Sequence, residues 1–445
     1  MSLVSGITPL KHQKLVSKFI VNPKNRGLIV YHSVGTGKTI TSLLSAKLLL
    51  DKYPDKNVII ITPTSLVSNF TKEINKLNLN FKGKLMIYST GVFVNILKEN
   101  LKLCSKNILI IDEAHNLGRS GVRSDYIMKC ALKAFKVILL TATPISNRPD
   151  EIINLLAMIN GDQDVKHLKS KLKIILENNK SDEFKKLFKC KVSFFKSSDT
   201  SKYPSSTEHQ IELTMSPDYY KEYYKIQEDI KEDLPDIFLN TKNLLTFLNG
   251  ARRAVNTVKV ISPKIKWTIN KIKENLKNNK KVLVYSAWKQ AGINILKEYF
   301  DNHDIKYSEV SGSLSKDKRT KLVNAYNNNI NKIIIITAAG AEGLDLKETS
   351  TVIILEPHWN DARLQQIIGR AIRYESHAKL TPSKRHVDIF HLFLNKPDKK
   401  HLIRGDNIPS ADIILKKLSE YKNIEISNFY KKLEKISIEQ DKTCF

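Results

Sequence analysis

Short, continuous apolar runs rich in β-branched residues recur along the chain and alternate with stretches of helical spacing. They predict strands at 28–31, 58–62, 84–88, 108–112 and 137–141, then a second set at 282–286, 306–310, 332–337, 351–356 and 386–392. A strand that is apolar on both faces and sits between helices belongs to a parallel sheet covered on both sides. Two such sets predict two α/β domains, at 1–160 and 263–396. The interval 161–262 breaks the pattern. It is rich in Lys, Asn, Tyr and Glu, with helical spacing around 219–229 and 236–255, and reads as a mostly helical insertion. Its tyrosines, Tyr219, Tyr220, Tyr223 and Tyr224, fall at helix-packing spacing and read as core rather than as a base-stacking platform. Beyond Lys396 a polar turn leads to a helical tail within 397–445.

The apolar runs are of strand length, far below a membrane span. The 445 residues are enough for two or three domains with cores of their own, and 41% hydrophobic content is ordinary. The charge is not: 73 Lys+Arg against 45 Asp+Glu leave +28. Heavy use of Lys, Asn and Ile accounts for part of this as compositional bias. The remainder points to a polyanion partner, because basic groups that neutralise phosphates release counterions and so drive binding. Charge alone does not separate DNA, RNA and a membrane surface. Cys104, Cys130, Cys190 and Cys444 show no metal-ligand spacing and, scattered singly, fit a reducing compartment. The first residues lack the basic start and apolar core of a signal peptide, so a soluble, cytoplasmic protein is expected. His386 and His391 read as ordinary strand residues.

Chemistry concentrates at three places. His32-Ser33-Val34-Gly35-Thr36-Gly37-Lys38-Thr39 follows one candidate strand and opens a helix, the context a phosphate-binding loop requires. Gly35, Thr36 and Gly37 would turn backbone N–H groups inward around phosphates, Lys38 would reach the β- and γ-phosphates, and Thr39 would ligate Mg²⁺. His32 stands where the usual loop has its first glycine. The second place is Asp112-Glu113-Ala114-His115, at the end of an apolar strand. Asp112 would hold Mg²⁺ and Glu113 would orient and deprotonate an attacking water. The third is Gln366 to Arg373, in which Arg370 and Arg373, three residues apart, are expected on one helix face with guanidinium groups for a γ-phosphate.

Together these motifs resemble superfamily 2 helicases, and within them the Snf2-like translocases, over nearly the whole chain. The resemblance implies two RecA-like domains, ATP and Mg²⁺ as cofactors, and a nucleic-acid track. Leu10-Lys11-His12-Gln13 is similar to the motif in which a glutamine reads adenine, so Gln13 is expected at the nucleotide. The stretches from Thr62 to Leu66 and from Thr141 to Asn147 are similar to the strand-tracking and coupling motifs. His115, Thr141, Thr143 and Gln366 would then link hydrolysis to movement. The stretch Thr337 to Leu346 resembles the motif that touches both ATP and nucleic acid, which adds Gly343 and Asp345 to the cofactor site. Pro63, Thr64, Ser286, Ser311, Gly312 and Thr337 would face a phosphate backbone. Trp359-Asn360 before Gln366 has Snf2 spacing. The tail and the insertion resemble the helicases of large cytoplasmic DNA viruses, including the group of the poxvirus early transcription factor small subunit and nucleoside triphosphatase I.

The leading expectation is therefore a nucleic-acid-dependent ATPase that translocates on DNA, favoured over RNA, in viral transcription. A second transcription-factor subunit or an RNA polymerase would be its partner, with no membrane. Two alternatives stay open: a strand-separating DNA or RNA helicase, and an ATP-switch subunit of a transcription complex with little activity alone.

Overall fold

The computed structural model describes residues 8–33, 35–118, 121–145, 148–196, 202–228, 249–312, 314–337, 340, 344–358 and 361–445. They form two compact units. One comprises residues 1–198 together with 422–445, the other residues 199–421.

The first unit is built on a six-stranded sheet of β1 (Gly27–His32), β2 (Val58–Thr62), β3 (Leu85–Ser89), β4 (Ile108–Ile111), β5 (Lys136–Thr141) and β6 (Val192–Phe195), in the order β3-β2-β4-β5-β1-β6. Every pairing is parallel. The central strands β1, β2, β4 and β5 are buried along their whole length, as strands covered on both faces must be. Ile29, Ile59 and Leu109 pack on one face with Ile127, Leu155 and Phe188. Leu28, Val58 and Ile110 pack on the other with Val16, Leu43 and Phe70.

The second unit has its own parallel sheet: β7 (Ser205–Thr214), β8 (Lys281–Tyr285), β9 (Tyr307–Val310), β10 (Ile333–Ile336), β11 (Thr349–Ile354) and β12 (His386–Asn395), ordered β7-β12-β11-β8-β10-β9. Two all-parallel sheets are the expected fold class, and the ten strands anticipated from apolar runs are present.

Two strands were not anticipated, and both lie in the interval expected to be a helical insertion. That interval does carry the helices Val165–Glu177, Ser181–Phe188 and Pro217–Glu228. Between them, however, β6 extends the first sheet beside β1 and β7 extends the second beside β12 over ten residues. β7 is exposed or half-exposed throughout, so an edge strand of this kind needs no apolar run. Tyr219, Tyr220, Tyr223 and Tyr224 are buried against Ala251, Val255 and Leu415, the packing role expected of them. The expected helix at 236–255 lies largely outside the described residues.

The tail carries the expected helix. Its helix Ala411–Lys435 contributes Leu415 to the second unit's core and Phe429 and Leu433 to the first unit's. Ile438 then donates its N–H to the carbonyl of Val192 in β6 at 2.9 Å.

The cysteines are not single. Cys104 pairs with Cys130 and Cys190 with Cys444, each with Cα atoms 5.3 Å apart, as disulfides. Separations of 26 and 254 residues left no local spacing to read. Among the described residues no helix is long and apolar enough to cross a membrane.

Candidate nucleotide-binding site

Parallel strands end at a common edge, and the turns leaving that edge are where such sheets bind ligands. β1 ends at His32 and passes into the glycine turn; Lys38 then begins the helix α2 (Lys38–Lys52). Gly35 and Gly37 have φ of 81° and 79°, the left-handed region that glycine enters without steric cost. A Cβ at Gly37 would also lie 2.6 Å from the Gln13 amide nitrogen, so the Gln13 side chain would have to move aside. The Thr36 hydroxyl closes the turn on the Ser33 carbonyl at 2.7 Å. Lys38 points back into the loop and donates to the carbonyls of His32 at 2.9 Å and Ser33 at 3.1 Å. Thr39 sits in the first turn of α2. A glycine turn, a helix N-terminus and an inward ammonium together form an anion cradle.

β4 delivers the acidic pair. Asp112 accepts from the Thr62 hydroxyl at 3.1 Å and from the Glu113 N–H at 3.0 Å. Burial raises the Asp112 carboxyl above the ordinary carboxylate range, and the charge of Glu113 adds to the shift; Lys38 opposes it, which places that ammonium within electrostatic reach. The buried Asp112 carboxyl supplies hard oxygen of the kind that suits Mg²⁺. Glu113 adopts the left-handed conformation, φ 51° and ψ 43°, a strained state for a residue with a side chain. Its carboxylate lies 3.3 Å from His115 Nδ1, and the same nitrogen is 3.1 Å from the Thr141 hydroxyl at the end of β5. Thr141 in turn accepts from the Thr143 N–H at 3.0 Å. The expected coupling residues of this unit are thus joined from β4 to the turn after β5.

In the second unit, the helix Asp361–Ala371 buries Leu364, Ile367, Ile368 and Ala371. That stripe leaves Gln366 and Arg370, four residues apart, together on another face. Arg373 departs from expectation. The helix has ended at Ala371, so Arg373 is not on its face; it donates to the Leu344 carbonyl at 3.1 Å and stands 3.8 Å from Asp345. Gly343, like Trp359 and Asn360, lies outside the described residues.

The residues expected to meet a phosphate backbone follow the ends of β2, β8, β9 and β10. Thr64 and Gly312 are exposed, and Pro63 and Thr337 half-exposed. Ser311 is nearly buried, and Ser286 fully so. Ser286 is a correction, because its hydroxyl is committed to Glu356 at 2.6 Å instead of facing outward. Gln13 is also committed. Its amide oxygen accepts from the Leu10 N–H at 2.9 Å and its nitrogen donates to the Thr36 carbonyl at 3.4 Å, so it braces the phosphate loop.

Several residues around the loop were not expected at the nucleotide site. His12 bonds the Thr36 carbonyl at 3.0 Å, Ser193 bonds the His32 ring at 2.8 Å, and Glu439 bonds Ser193. They come from α1 (Lys11–Val21), β6 and the C-terminal segment, and no short motif joins them.

Three family profiles match: DEAD/DEAH box helicase over residues 10–152, SNF2-related domain over 82–271, and helicase conserved C-terminal domain over 264–375. The candidate ATP-dependent RNA helicase L538 of Acanthamoeba polyphaga mimivirus is 33% identical over 443 residues, which cover 95% of each chain. A second candidate RNA helicase of that virus, R563, is 26% identical over 87% of this chain and 82% of its own. The candidate helicase 087L of Invertebrate iridescent virus 3 is 24% identical over 96% of this chain and 53% of its own. Among solved structures, the Sulfolobus solfataricus SWI2/SNF2 ATPase core in complex with dsDNA is 17% identical, covers 88% of both chains and has a TM-score of 0.41.

Proposed function

Because the chain belongs to the helicase family that combines DEAD/DEAH box, SNF2-related and helicase conserved C-terminal domains, and is an ATP-hydrolysing enzyme, we propose that it spends ATP on translocation along DNA in viral transcription. The observation that carries the ATP part is the convergence of Lys38 and the Asp112–Glu113 pair at the carboxyl ends of β1 and β4. In this reading Lys38 exchanges the carbonyls of His32 and Ser33 for β- and γ-phosphate oxygens. Thr39 and Asp112 would hold Mg²⁺, which supplies charge neutralisation at the phosphates. Glu113 orients the attacking water and takes its proton. Arg370 and Arg373, carried by the second unit, stabilise charge developing on the γ-phosphate. The His115–Thr141–Thr143 chain reports the state of Glu113 to the turn after β5.

The nucleic-acid part rests on the positive charge and on the family. The exposed Thr64 and Gly312 offer positioning contacts to a phosphate backbone, without sequence readout. The viral relatives support a viral, cytoplasmic setting; the two disulfides do not, since such bonds are rare in reducing compartments. A strand-separating RNA helicase is the second reading, favoured by the names of the mimivirus relatives.

ATP hydrolysis measured with no nucleic acid, single-stranded DNA, duplex DNA and single-stranded RNA, at two salt concentrations, tests the proposal. Stimulation by duplex DNA that weakens with salt is the expected result. Stimulation by RNA alone overturns the DNA track. A flat response overturns the motor reading and favours a switch that acts only within a complex.

A further inference from the structure

His32, the side chain that replaces a glycine of the phosphate loop, is held from outside the loop. Its Nε2 lies 2.8 Å from the Ser193 hydroxyl in β6. That hydroxyl bonds Glu439 Oε1 at 2.5 Å, and the other carboxylate oxygen accepts the Phe194 N–H at 2.8 Å. Donor arithmetic fixes the protons. Burial raises the Glu439 carboxyl above its ordinary range, while the hydrogen bonds from Ser193 and the Phe194 N–H favour its ionised form. As a carboxylate it only accepts, so the single Ser193 proton goes to Glu439 and His32 donates from Nε2. The His32 Nδ1 is then a lone pair, buried, with no hydrogen-bond partner among the described residues. The far end of the loop is treated alike. The Thr36 carbonyl only accepts, so His12 donates from its Nε2, while its ring stacks on Phe195 at 3.8 Å and meets the His32 ring edge-on at 5.1 Å. Burial, with His12 and Lys38 nearby, holds the His32 pKa down to about 3, so the ring stays neutral and its tautomer is the only variable.

We infer that Glu439 is a positioning residue of the nucleotide site: through Ser193 it fixes the tautomer and seat of His32, whose carbonyl holds Lys38. A remote C-terminal carboxylate thereby sets the loop that receives the phosphates. The inference rests on reading residues 32–39 as the ATP phosphate loop.

Glu439→Gln tests it at constant size. The Phe194 N–H requires an oxygen opposite it, so the new NH₂ group faces Ser193 and donates. Ser193 must then turn its proton to His32, which shifts to the Nδ1-protonated tautomer and buries an N–H without an acceptor. Long-range ¹H–¹⁵N spectra of the histidine rings, with His32→Asn assigning the signal, should show that inversion. Affinity for a fluorescent ATP analogue should fall by about 3- to 10-fold, the value of one net hydrogen bond, with KM rising more than kcat falls and nucleic-acid affinity unchanged. Ser193→Ala, which keeps the Glu439–Phe194 bond, should show the same affinity loss and covers the case in which the glutamine variant folds poorly. Unchanged tautomer and unchanged nucleotide affinity in both variants overturn the inference. Lys38→Ala separates the two readings: if it binds and hydrolyses ATP normally, the phosphate-loop assignment itself has failed.

Discussion

Tyr430 holds both ends of Ile145: its hydroxyl donates to the Ile145 carbonyl at 3.0 Å and accepts the Ile145 N–H at 3.2 Å. The ring of Tyr430 lies 4.8 Å from that of Tyr31, the residue before His32. A residue of the C-terminal segment therefore braces the turn after β5, where the coupling threonines sit, against the strand that feeds the phosphate loop.

Tyr430→Phe keeps the ring and removes the hydroxyl, leaving a buried N–H and a buried carbonyl without partners. Stability should fall by about 1–3 kcal/mol. ATP turnover should fall while nucleotide affinity holds, because the loss is at the coupling turn. Denaturant unfolding and single-turnover hydrolysis check both halves; a variant with wild-type turnover would remove Tyr430 from the coupling path.

The two arginines should be unequal. Arg370 shares a helix face with Gln366, whereas Arg373 is tied to the Leu344 carbonyl off the helix end. Arg370→Ala should slow hydrolysis by roughly 10³-fold if it acts as arginine fingers do in other NTPases. Arg373→Ala should lower both turnover and stability, since its contacts are also structural. An Arg370 variant hydrolysing at the wild-type rate ends the proposal that the second unit serves the triphosphate.

The Cys190–Cys444 disulfide closes the chain across 254 residues and fastens the last residues beside β6. By loop-closure entropy such a link stabilises by up to about 5 kcal/mol. Cys444→Ser should unfold at lower temperature than wild type without reductant, and the two should converge with dithiothreitol. Intact mass that shows four free thiols in the unreduced protein would contradict the pairing.

Lys136 opens β5 with its side chain buried, donating to the carbonyls of Asn22 and Asn25. Burial, aided by the charge of Lys52, pulls its pKa down from 10.5 to about 8. Between those two values the unfolded chain binds the proton that the folded one has released. Stability from this site therefore rises with pH across the window and is lowest below pH 8. Against Lys136→Met, the wild type should gain up to about 3 kcal/mol between pH 8 and 10.5. Parallel pH–stability curves for the two proteins would refute the shift.

What the sequence determined by itself is local. Runs such as Ile108–Ile111 and Ile333–Ile336 are strands because a doubly covered strand must be apolar at every position. The glycine turn before Lys38 and the acidic pair after β4 were legible because their chemistry depends on adjacent residues. Tertiary structure decided what depends on distant partners. β7 is a strand because β12 offers it a ladder, and its own residues alternate too weakly to announce it. Ser286 turns inward because Glu356 is there to accept its hydroxyl, and Arg373 leaves its helix because the backbone stops at Ala371. Cys190 meets Cys444, Tyr430 meets Ile145 and Glu439 reaches toward His32 only once the C-terminal segment folds back onto the first sheet. No pattern of residues nearby in the chain records those contacts, since each is made between groups separated by hundreds of positions and selected by shape, burial and donor–acceptor matching.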